Sequence, residues 1–493
     1  MKETNFIKYH EIINLMNIGI QQSSDEDWLD FCINLASKKV LKVQIGGHKS
    51  HPSYKREFDD YYFIDKYEMA LIKNVKKDQH ILENISQTNY QELVKHQQIA
   101  NDLLSRQLLP FRIKNTFNSF DEQFMFWYLH QYYKNVLSTH DIKEFYFPVV
   151  PHGFPDYVLY AACDSLNIKT YIFKRIPFID GLTCSNSISN TFDVDISIEP
   201  EDDQFCTSEI ERLATNNTYR PPDYWGEIDT ADSQDKKSPM DLLSEFFNRL
   251  IGYNHTIKKI KNASPPHESD ISPLEFKLNK VRSAWFLLKL KRKYECIATN
   301  ELPDNYVYFA LHYQPELTTL PLAGIYRNQY LAVAELSDKL PSDWDIIVKE
   351  HPGQFQFNRW GEQARTHYYY DLMSKIDSVS FVSLDLDSFT LIDNAIATAS
   401  VGGTVGFESI LRGRPTFVWR ETWYSGLSGC TIFENVPKSI NQDYIDHITS
   451  AIENLERTLR ELSALRSHFA DHDDCESNKY ARALSNFVAS SNI

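Results

Sequence analysis

The sequence predicts an α/β protein built from two doubly wound domains that face a cleft, with extra helices at the N-terminal end and a helical C-terminal tail. Three observations predict it. At 493 residues the chain is too long for one hydrophobic core. Between Tyr306 and Trp419 short apolar runs alternate with helical patterns, which is how βαβ units read. Between Phe145 and Ile176 a strand, a helix and a second strand follow one another at lengths that suit a parallel sheet.

Taken in order, the chain opens with helical patterns. "KVLKVQIGG", Lys39 to Gly47, reads as a strand that leaves through glycines. Residues 54–137 are rich in helix formers with apolar spacings of three and four, and read as helical. "FYFPVV" (145–150) is a strand, "PHGFPDYVLYAACDSLNI" a turn and a helix, and "KTYIFKRI" (169–176) the next strand. Residues 214–240 are polar and proline-containing, and read as a linker; around 256–295 an otherwise acidic chain turns basic. In the second half "YVYFAL" (306–311), "WDIIVK" (344–349), "SVSFVS" (378–383), "AIATASV" (395–401) and "PTFVW" (415–419) read as strands. Helices fall between them in "NQYLAVAELSDKLP", "YYYDLMSKI", "SFTLIDNA", with Ser388 as its cap, and "GFESILRG". Residues 441–490 read as helical. The expected units are 1–213, a linker and basic segment 214–300, a second domain 301–440, and terminal helices 441–493.

Composition narrows the function classes. Hydrophobic residues make up 42% and aromatics 13%, ample for packed cores. No run of 18 apolar residues predicts a bilayer span. The N-terminal residues lack the apolar core and small-residue cleavage site of a signal peptide. Seven cysteines are scattered without a CxxC pair, which suits a reducing compartment better than disulfides or zinc. Together these predict a cytoplasmic protein. A net charge of −16 argues against nucleic acid as a partner, so an anionic ligand would need a locally positive pocket.

Chemistry-bearing residues gather at strand ends, where open α/β sheets bind ligands. "WDIIVKEHPGQF" places His351 and Pro352 at the mouth of a buried strand, so His351 reads either as a ligand contact or as a turn residue. "ATASVGGTVGFESILRG" turns at Gly402, Gly403 and Thr404 into a helix start that suits a phosphate, or is an ordinary strand-to-helix turn. Glu408, one turn on, suits a ribose diol. His351 and Thr404 end strands of one sheet, so a nucleotide-sugar phosphate fits between them, with Lys349 adding positive field. "ALHYQPELTTLPLAG" brings Gln314, Glu316 and Thr318 after another strand; Glu316 reads as nucleophile or general base, or as a capping glutamate. His152 and Asp156 follow the 145–150 strand; Asp156 reads as an acceptor-side base or as a helix N-terminal carboxylate. Asp385 and Asp387 form a D-x-D that reads as loop and cap rather than as metal ligands.

"YFALHYQPELTTLPLAG", "VKEHPGQF", "DSFTLIDNA" and "GGTVGFESILRGRPTFVW" resemble bacterial capsule polysaccharide synthesis proteins of the Kdo-transferase type, clearly over about 306–430 and weakly over "PHGFPDYVLYAACDSLNIKTYIF". The resemblance implies a GT-B glycosyltransferase: two Rossmann-like domains, the first (1–213) on the acceptor side and the second (301–440) binding the nucleotide sugar. It implies a CMP-linked 2-keto acid sugar donor (Kdo or a nonulosonic acid such as pseudaminic acid), a retaining reaction, and a capsular or glycolipid acceptor. It assigns the phosphate to His351, Gly403 and Thr404 and the ribose to Glu408; Lys349, Pro352, Ser388 and Gly402 complete the expected nucleotide site, and His351 is also expected to be catalytic. The acid is Glu316 or Asp156, with His152, Gln314 and Thr318 at the substrate. The family's Q-x-E-D-D stretch is Gln314-Pro315-Glu316-Leu317-Thr318 here, and a glutamate usual after the first-half Pro-His pair is Gly153, which suits an ulosonic acid other than Kdo.

No cofactor or metal is expected, because helix start, His351 and Lys349 can stabilise the leaving phosphate. "KVRSAWFLLKLKRKY" (280–294) reads either as an anionic-membrane contact or as a helix packed between domains with its lysines in solvent. Two rivals remain: a UDP-sugar transferase or epimerase-like enzyme of the same fold, and a non-catalytic capsule assembly or export component.

Overall fold

The computed structural model of the chain describes residues 17–21, 26–38, 40–46, 61–63, 90–108, 119–176, 181–188, 213–215, 273–356, 361–452 and 483–484. Two sheets organise them. The first sheet is built from β1 (Asn17–Gln21), β2 (Val40–Gly46), β3 (Tyr61–Phe63), β4 (Glu144–Phe147), β5 (Lys169–Ile176) and β6 (Gly181–Ser185). Its helices are α1 (Glu26–Lys38), α2 (Tyr90–Leu108), α3 (Ser119–Thr139) and α4 (Phe154–Ser165). Strand order is β3-β2-β1-β4-β5-β6, parallel except for β6 against β5. The second sheet follows α5 (Pro273–Ile297). It comprises β7 (Ala298–Thr299), β8 (Tyr306–Ala310), β9 (Asp345–Lys349), β10 (Val379–Val382), β11 (Ala397–Ser400), β12 (Thr416–Val418) and β13 (Cys430–Ile432). Between and after them come α6 (Gln329–Lys339), α7 (His367–Met373), α8 (Ser388–Asn394), α9 (Val405–Leu411) and α10 (Gln442–Ala451). The order is β13-β12-β11-β8-β9-β10-β7, parallel throughout.

Both sheets are buried on two faces, which explains why their strands read as apolar runs rather than as alternating patterns. In β8, Val307 and Phe309 enter one core while Tyr306 and Tyr308 enter the core on the opposite face. The first sheet splits likewise: Phe145 and Phe147 pack against α2, α3 and α4, and Tyr146 packs with Trp28 and Phe31 of α1. The strand order reverses between β1 and β4 in the first sheet and between β8 and β11 in the second. These reversals open the crevices in which such sheets bind ligands.

Among the described residues, contacts in three places join the halves. Leu320, between β8 and α6, is part of the first domain's core, Leu317 and Leu322 pack against it, and Arg327 pairs with Asp102 of α2 at 2.8 Å. Leu213 packs in the second domain beside Phe389 and Phe407, and Arg412 Nη1 donates to its carbonyl at 3.0 Å. Ala483 and Leu484 pack in the β1–α1 core of the first domain.

Several expectations need correction. Residues 61–63, inside the stretch read as helical, form β3, because Tyr61, Tyr62 and Phe63 pair with Gln44, Ile45 and Gly46 on the open edge of β2. Strands β6, β7 and β13 were not expected from the sequence; β7 and β13 have only two and three residues. The cap of α8 is Asp387, whose carboxylate accepts from Thr390 N–H at 2.9 Å, and not Ser388. The linker expected at 214–240 lies outside the described residues beyond Thr215, as does the tail beyond Ile452 apart from 483–484. No helix among the described residues is long and apolar enough to cross a membrane.

One buried histidine gives the fold a pH signature. Burial, aided by the charge of Lys134, pushes His130 of α3 from 6.5 down to about 4. The unfolded chain takes this proton near pH 6.5 and the folded chain near 4, so this contribution is complete above 6.5 and is lost as pH falls toward 4. His130→Asn should flatten the decline of unfolding free energy between pH 7 and 4.5 by on the order of 2–3 kcal/mol in urea titrations.

Candidate functional site

The crevice of the second sheet opens where β8 and β11 end. Beyond β8 the chain places His312, buried, with Nδ1 2.8 Å from Glu316 Oε1. Thr318 Oγ1 donates to the same carboxylate oxygen. Burial pushes the Glu316 carboxyl up, but hydrogen bonds from His312 and Thr318 and the positive fields of His312 and His351 outweigh it, so its pKa is lowered. A carboxylate that accepts from Nδ1–H leaves the lone pair of the neutral ring on Nε2. That Nε2 is buried and has no hydrogen-bond partner among the described residues. It faces the glycine turn after β11: a Cβ on Gly403 would stand 3.0 Å from His312 Cε1 and 3.3 Å from Nε2. A glycine there keeps open the space into which the imidazole points.

The backbone carrying His312 is held from three sides. Gln329, the first residue of α6, accepts from His312 N–H at 2.7 Å and donates back to its carbonyl at 3.2 Å. Gln354 does the same for Gln314, at 2.9 and 3.0 Å. Arg365 is fully buried and forks: Nε to Glu350 Oε2 at 2.8 Å, Nη2 to the His312 carbonyl at 3.1 Å, and Nη1 to the Gln314 side chain. Tyr370 donates to Glu350 at 2.8 Å, and Glu350 Oε1 accepts the His351 N–H at 2.9 Å. One ion pair thereby fixes the ends of both β8 and β9.

His351 lies where the sequence placed it, at the mouth of β9. Gly353 N–H donates to its Nδ1 at 3.0 Å, so the neutral ring carries its proton on Nε2, suited to donate to an anion. His351 also acts on Glu316 and packs 5.9 Å from the Tyr313 ring. Pro352 opens the single turn behind it.

Other expected site residues have different duties. Lys349 is buried and donates to the Leu386 carbonyl and, at 3.3 Å, to Ser388 Oγ; it ties β9 to the loop before α8 instead of facing a phosphate. Burial pushes its amine down to about 8, against the pull of Asp387 and Asp385. Ser388 accepts from Lys349 and so faces inward. Gln314 uses both ends of its amide, to Arg365 and to the Arg327 carbonyl at 2.5 Å, and is an anchor rather than a substrate contact. Thr318 is directed at Glu316. The N–H groups of Gly402 and Gly403 turn back to Ser400 Oγ at 3.4 and 2.9 Å, so neither is aimed at a phosphate, and α9 is only seven residues long. Thr404 sits at the N-cap of α9 without a side-chain cap bond. Glu408 is 2% exposed, inside the α9 face toward Tyr308 of β8. No cluster of three or more metal-ligating side chains occurs among the described residues, and Asp387 serves as a cap.

The first domain faces the cleft with its own switch point. Gln21 ends β1 and donates to Asp156 Oδ1 at 2.7 Å, in the first turn of α4. His152 Nδ1–H donates to the Val150 carbonyl at 2.8 Å, leaving Nε2 as the acceptor nitrogen of the neutral ring. His312, Arg365, Glu350, Gln329, Gln354 and Gln21 were not singled out by the sequence reading. Only a polar residue directly after an apolar strand, as in "FALH" and "VKE", could have flagged two of them.

Two doubly wound domains with a crevice at each strand reversal, and Ala483 and Leu484 back in the first domain's core, define the GT-B architecture. Residues 331–441 match the family described as capsule polysaccharide biosynthesis protein, a stretch inside the second domain. Comparison with curated proteins gives no match. Among solved structures, the UDP-GlcNAc 2-epimerase of Methanocaldococcus jannaschii is 10% identical over 92% of this chain and 99% of its own, with a TM-score of 0.23. Anabaena HepE in complex with UDP and glucose is 10% identical over 97% and 100%, with a TM-score of 0.25. A beta Kdo 2,7 transferase, KpsC of Thermosulfurimonas dismutans, is 11% identical over 37% and 62%, with a TM-score of 0.19.

The Arg365–Glu350 pair gives a direct test of how the site is held. Arg365→Ala strands a buried carboxylate and should cost about 3–5 kcal/mol of unfolding free energy in guanidinium titrations. Arg365→Lys keeps the charge without the fork, and should recover only part of that loss.

Proposed function

We propose that this protein is a glycosyltransferase of capsule biosynthesis that moves a 2-ulosonic acid sugar from its CMP donor to a capsular glycan or glycolipid, without a metal. The observation that carries the reading is His312: a buried imidazole, oriented by a carboxylate, with an unpartnered Nε2 directed at the glycine turn of a nucleotide-type crevice. Acceptor hydroxyls are weak nucleophiles, and a positioned imidazole removes the proton as the bond forms. Glu316 holds the tautomer and stabilises the imidazolium, the role a carboxylate plays behind a catalytic histidine. His351 offers Nε2–H to the departing phosphate. The CMP donor is supported by the resemblance of "KEHPGQF" and "GGTVGFES" and by the match of residues 331–441 to the capsule family. Gln21, Asp156 and His152 form the acceptor side.

A second reading has Glu316 itself attack the anomeric carbon and the reaction retain configuration, as the resemblance implies. What favours it is the lowered pKa that keeps Glu316 ionised; what opposes it is that Oε1 already accepts two hydrogen bonds. In thermal shift, CMP at about 100 times its dissociation constant should stabilise the fold by about 2.7 kcal/mol, and UDP and GDP should do less. Turnover of CMP-sugar should fall about 10²- to 10⁴-fold in His312→Ala with the melting temperature nearly kept. Proton NMR of the first-formed anomer then separates the readings, inversion for a His312 base and retention for a Glu316 nucleophile. Tighter binding of UDP than CMP would give the reading to the UDP-sugar rival.

The partner surface proposed for the acceptor's membrane is α5. Leu278, Val281, Trp285 and Leu288 are 48%, 41%, 61% and 47% exposed, at helical spacing on one face. Arg282, Lys289 and Arg292 are exposed beside them, and Lys289 Nζ lies 3.5 Å over the Trp285 ring. The opposite face, Leu287, Leu290 and Tyr294, is buried, so α5 is anchored with an apolar outer side. Lys291 and Lys293 are engaged with Glu295 and Asp371, so they are not part of the basic rim expected from sequence. An apolar stripe rimmed by cations suits an anionic lipid surface, each cation contributing about 1 kcal/mol. Co-sedimentation with phosphatidylglycerol vesicles should be strong at low salt, and be abolished by Trp285→Ser with Leu288→Ser; no binding at low salt would remove this surface.

A further inference from the structure

Arg420, two residues beyond β12, lies against Gly402 in the turn that His312 also faces. A Cβ on Gly402 would stand 2.7 Å from Arg420 Nε and 3.0 Å from its Cζ, and Gly402 has φ +140°, so only glycine lets the guanidinium lie on the turn. Arg420 Nη2 donates to the Gly402 carbonyl at 3.2 Å and Nη1 to the Glu421 carbonyl at 2.9 Å. Nε is buried and has no hydrogen-bond partner among the described residues. A buried cationic N–H left unsatisfied is costly, and an anionic ligand would relieve that cost. Glu316 also acts electrostatically on Arg420.

The facing domain contributes a second cation. Lys174 of β5 is buried, and burial pushes its amine down to about 7, with the charge of Arg420 adding to the fall and Cys184 and Glu421 opposing it. Lys174 Nζ donates to the Ser187 carbonyl at 3.4 Å, and the fields of Arg420 and Glu421 act on it with opposite sign.

We infer that Arg420, supported by Lys174, forms a second anion subsite of the cleft, which takes the carboxylate of an acidic donor sugar beside the phosphate held at His351. The inference rests on the glycosyl-transfer reading above. In a CMP-linked 2-ulosonic acid the carboxylate is attached to the same carbon that bears the phosphate, so the two anions are close neighbours. A guanidinium matches a carboxylate better than an ammonium does. A neutral sugar brings no group for this subsite, which makes Arg420 a determinant of donor class.

Calorimetric titration of the whole chain with CMP, and with CMP-pseudaminic acid and CMP-Kdo, tests it. Arg420→Gln should bind CMP as the wild type does and bind the better CMP-sugar roughly ten- to a hundredfold more weakly. Lys174→Gln should show a smaller loss in the same direction. Equal weakening toward CMP and CMP-sugar would overturn the inference in favour of a phosphate contact, and unchanged binding of both would reduce Arg420 to a brace of the turn. If Arg420→Gln fails to fold, Arg420→Lys and Lys174→Gln read the same difference. A wild-type chain that binds neither ligand overturns the donor reading itself.

Discussion

The arrangement of the cleft depends on one buried ion pair, Arg365 with Glu350. Neither side chain reaches water, so each polar atom must find its partner inside the protein. The planar guanidinium divides its donors among Glu350, the His312 carbonyl and the Gln314 side chain, and Glu350 shares its oxygens with Tyr370 and the His351 amide. Buried pairs of this kind contribute little net stability compared with an apolar replacement. What they supply is geometry: the ends of two neighbouring strands cannot shift independently, and each carries a histidine. A site whose polar groups are fixed before the ligand arrives needs little reorganisation when charge moves.

The same strand end connects the halves of the molecule. Directly after His312 and Glu316 the chain docks Leu317, Leu320 and Leu322 on the helices of the first domain, and Arg327 pairs with Asp102. The His312–Glu316 pair therefore sits at the root of a segment whose far side belongs to the other domain's core. Any change in how the domains approach is felt within a few residues of His312. The crevice is lined from both sides by strand-end polar residues: Gln21 and Asp156 from the first domain, His312 and His351 from the second.

Much of this was legible in the sequence, for physical reasons that are local. Parallel strands buried on both faces must be apolar throughout, so 306–310, 345–349 and 169–176 stood out. Strand ends in such sheets collect ligand-binding residues, so the sequence pointed to His351, Gly403 and Glu316, which the fold brings to the ends of β8, β9 and β11. Other assignments failed because a polar side chain can face either the cleft or the interior. Lys349, Gln314 and Ser388 have the right chemistry at the right strand ends, yet they are consumed by the loop before α8 and by Arg365. Ser388 and Asp387 are both good caps, and the choice between them is one residue of helix phase.

The sequence by itself determined the alternation of strands and helices, the two-domain α/β plan and the strand-end segments where chemistry would gather, because periodicity and turn residues act over a few positions. Only the tertiary structure decided which polar groups in those segments are left without a partner. Hydrogen bonds from residues 13 to 53 positions away satisfy Gln314 and the His312 carbonyl, while His312 Nε2 and Arg420 Nε have no partner among the described residues. That bookkeeping of partners depends on which distant chain segments the fold brings together, and no local pattern encodes it.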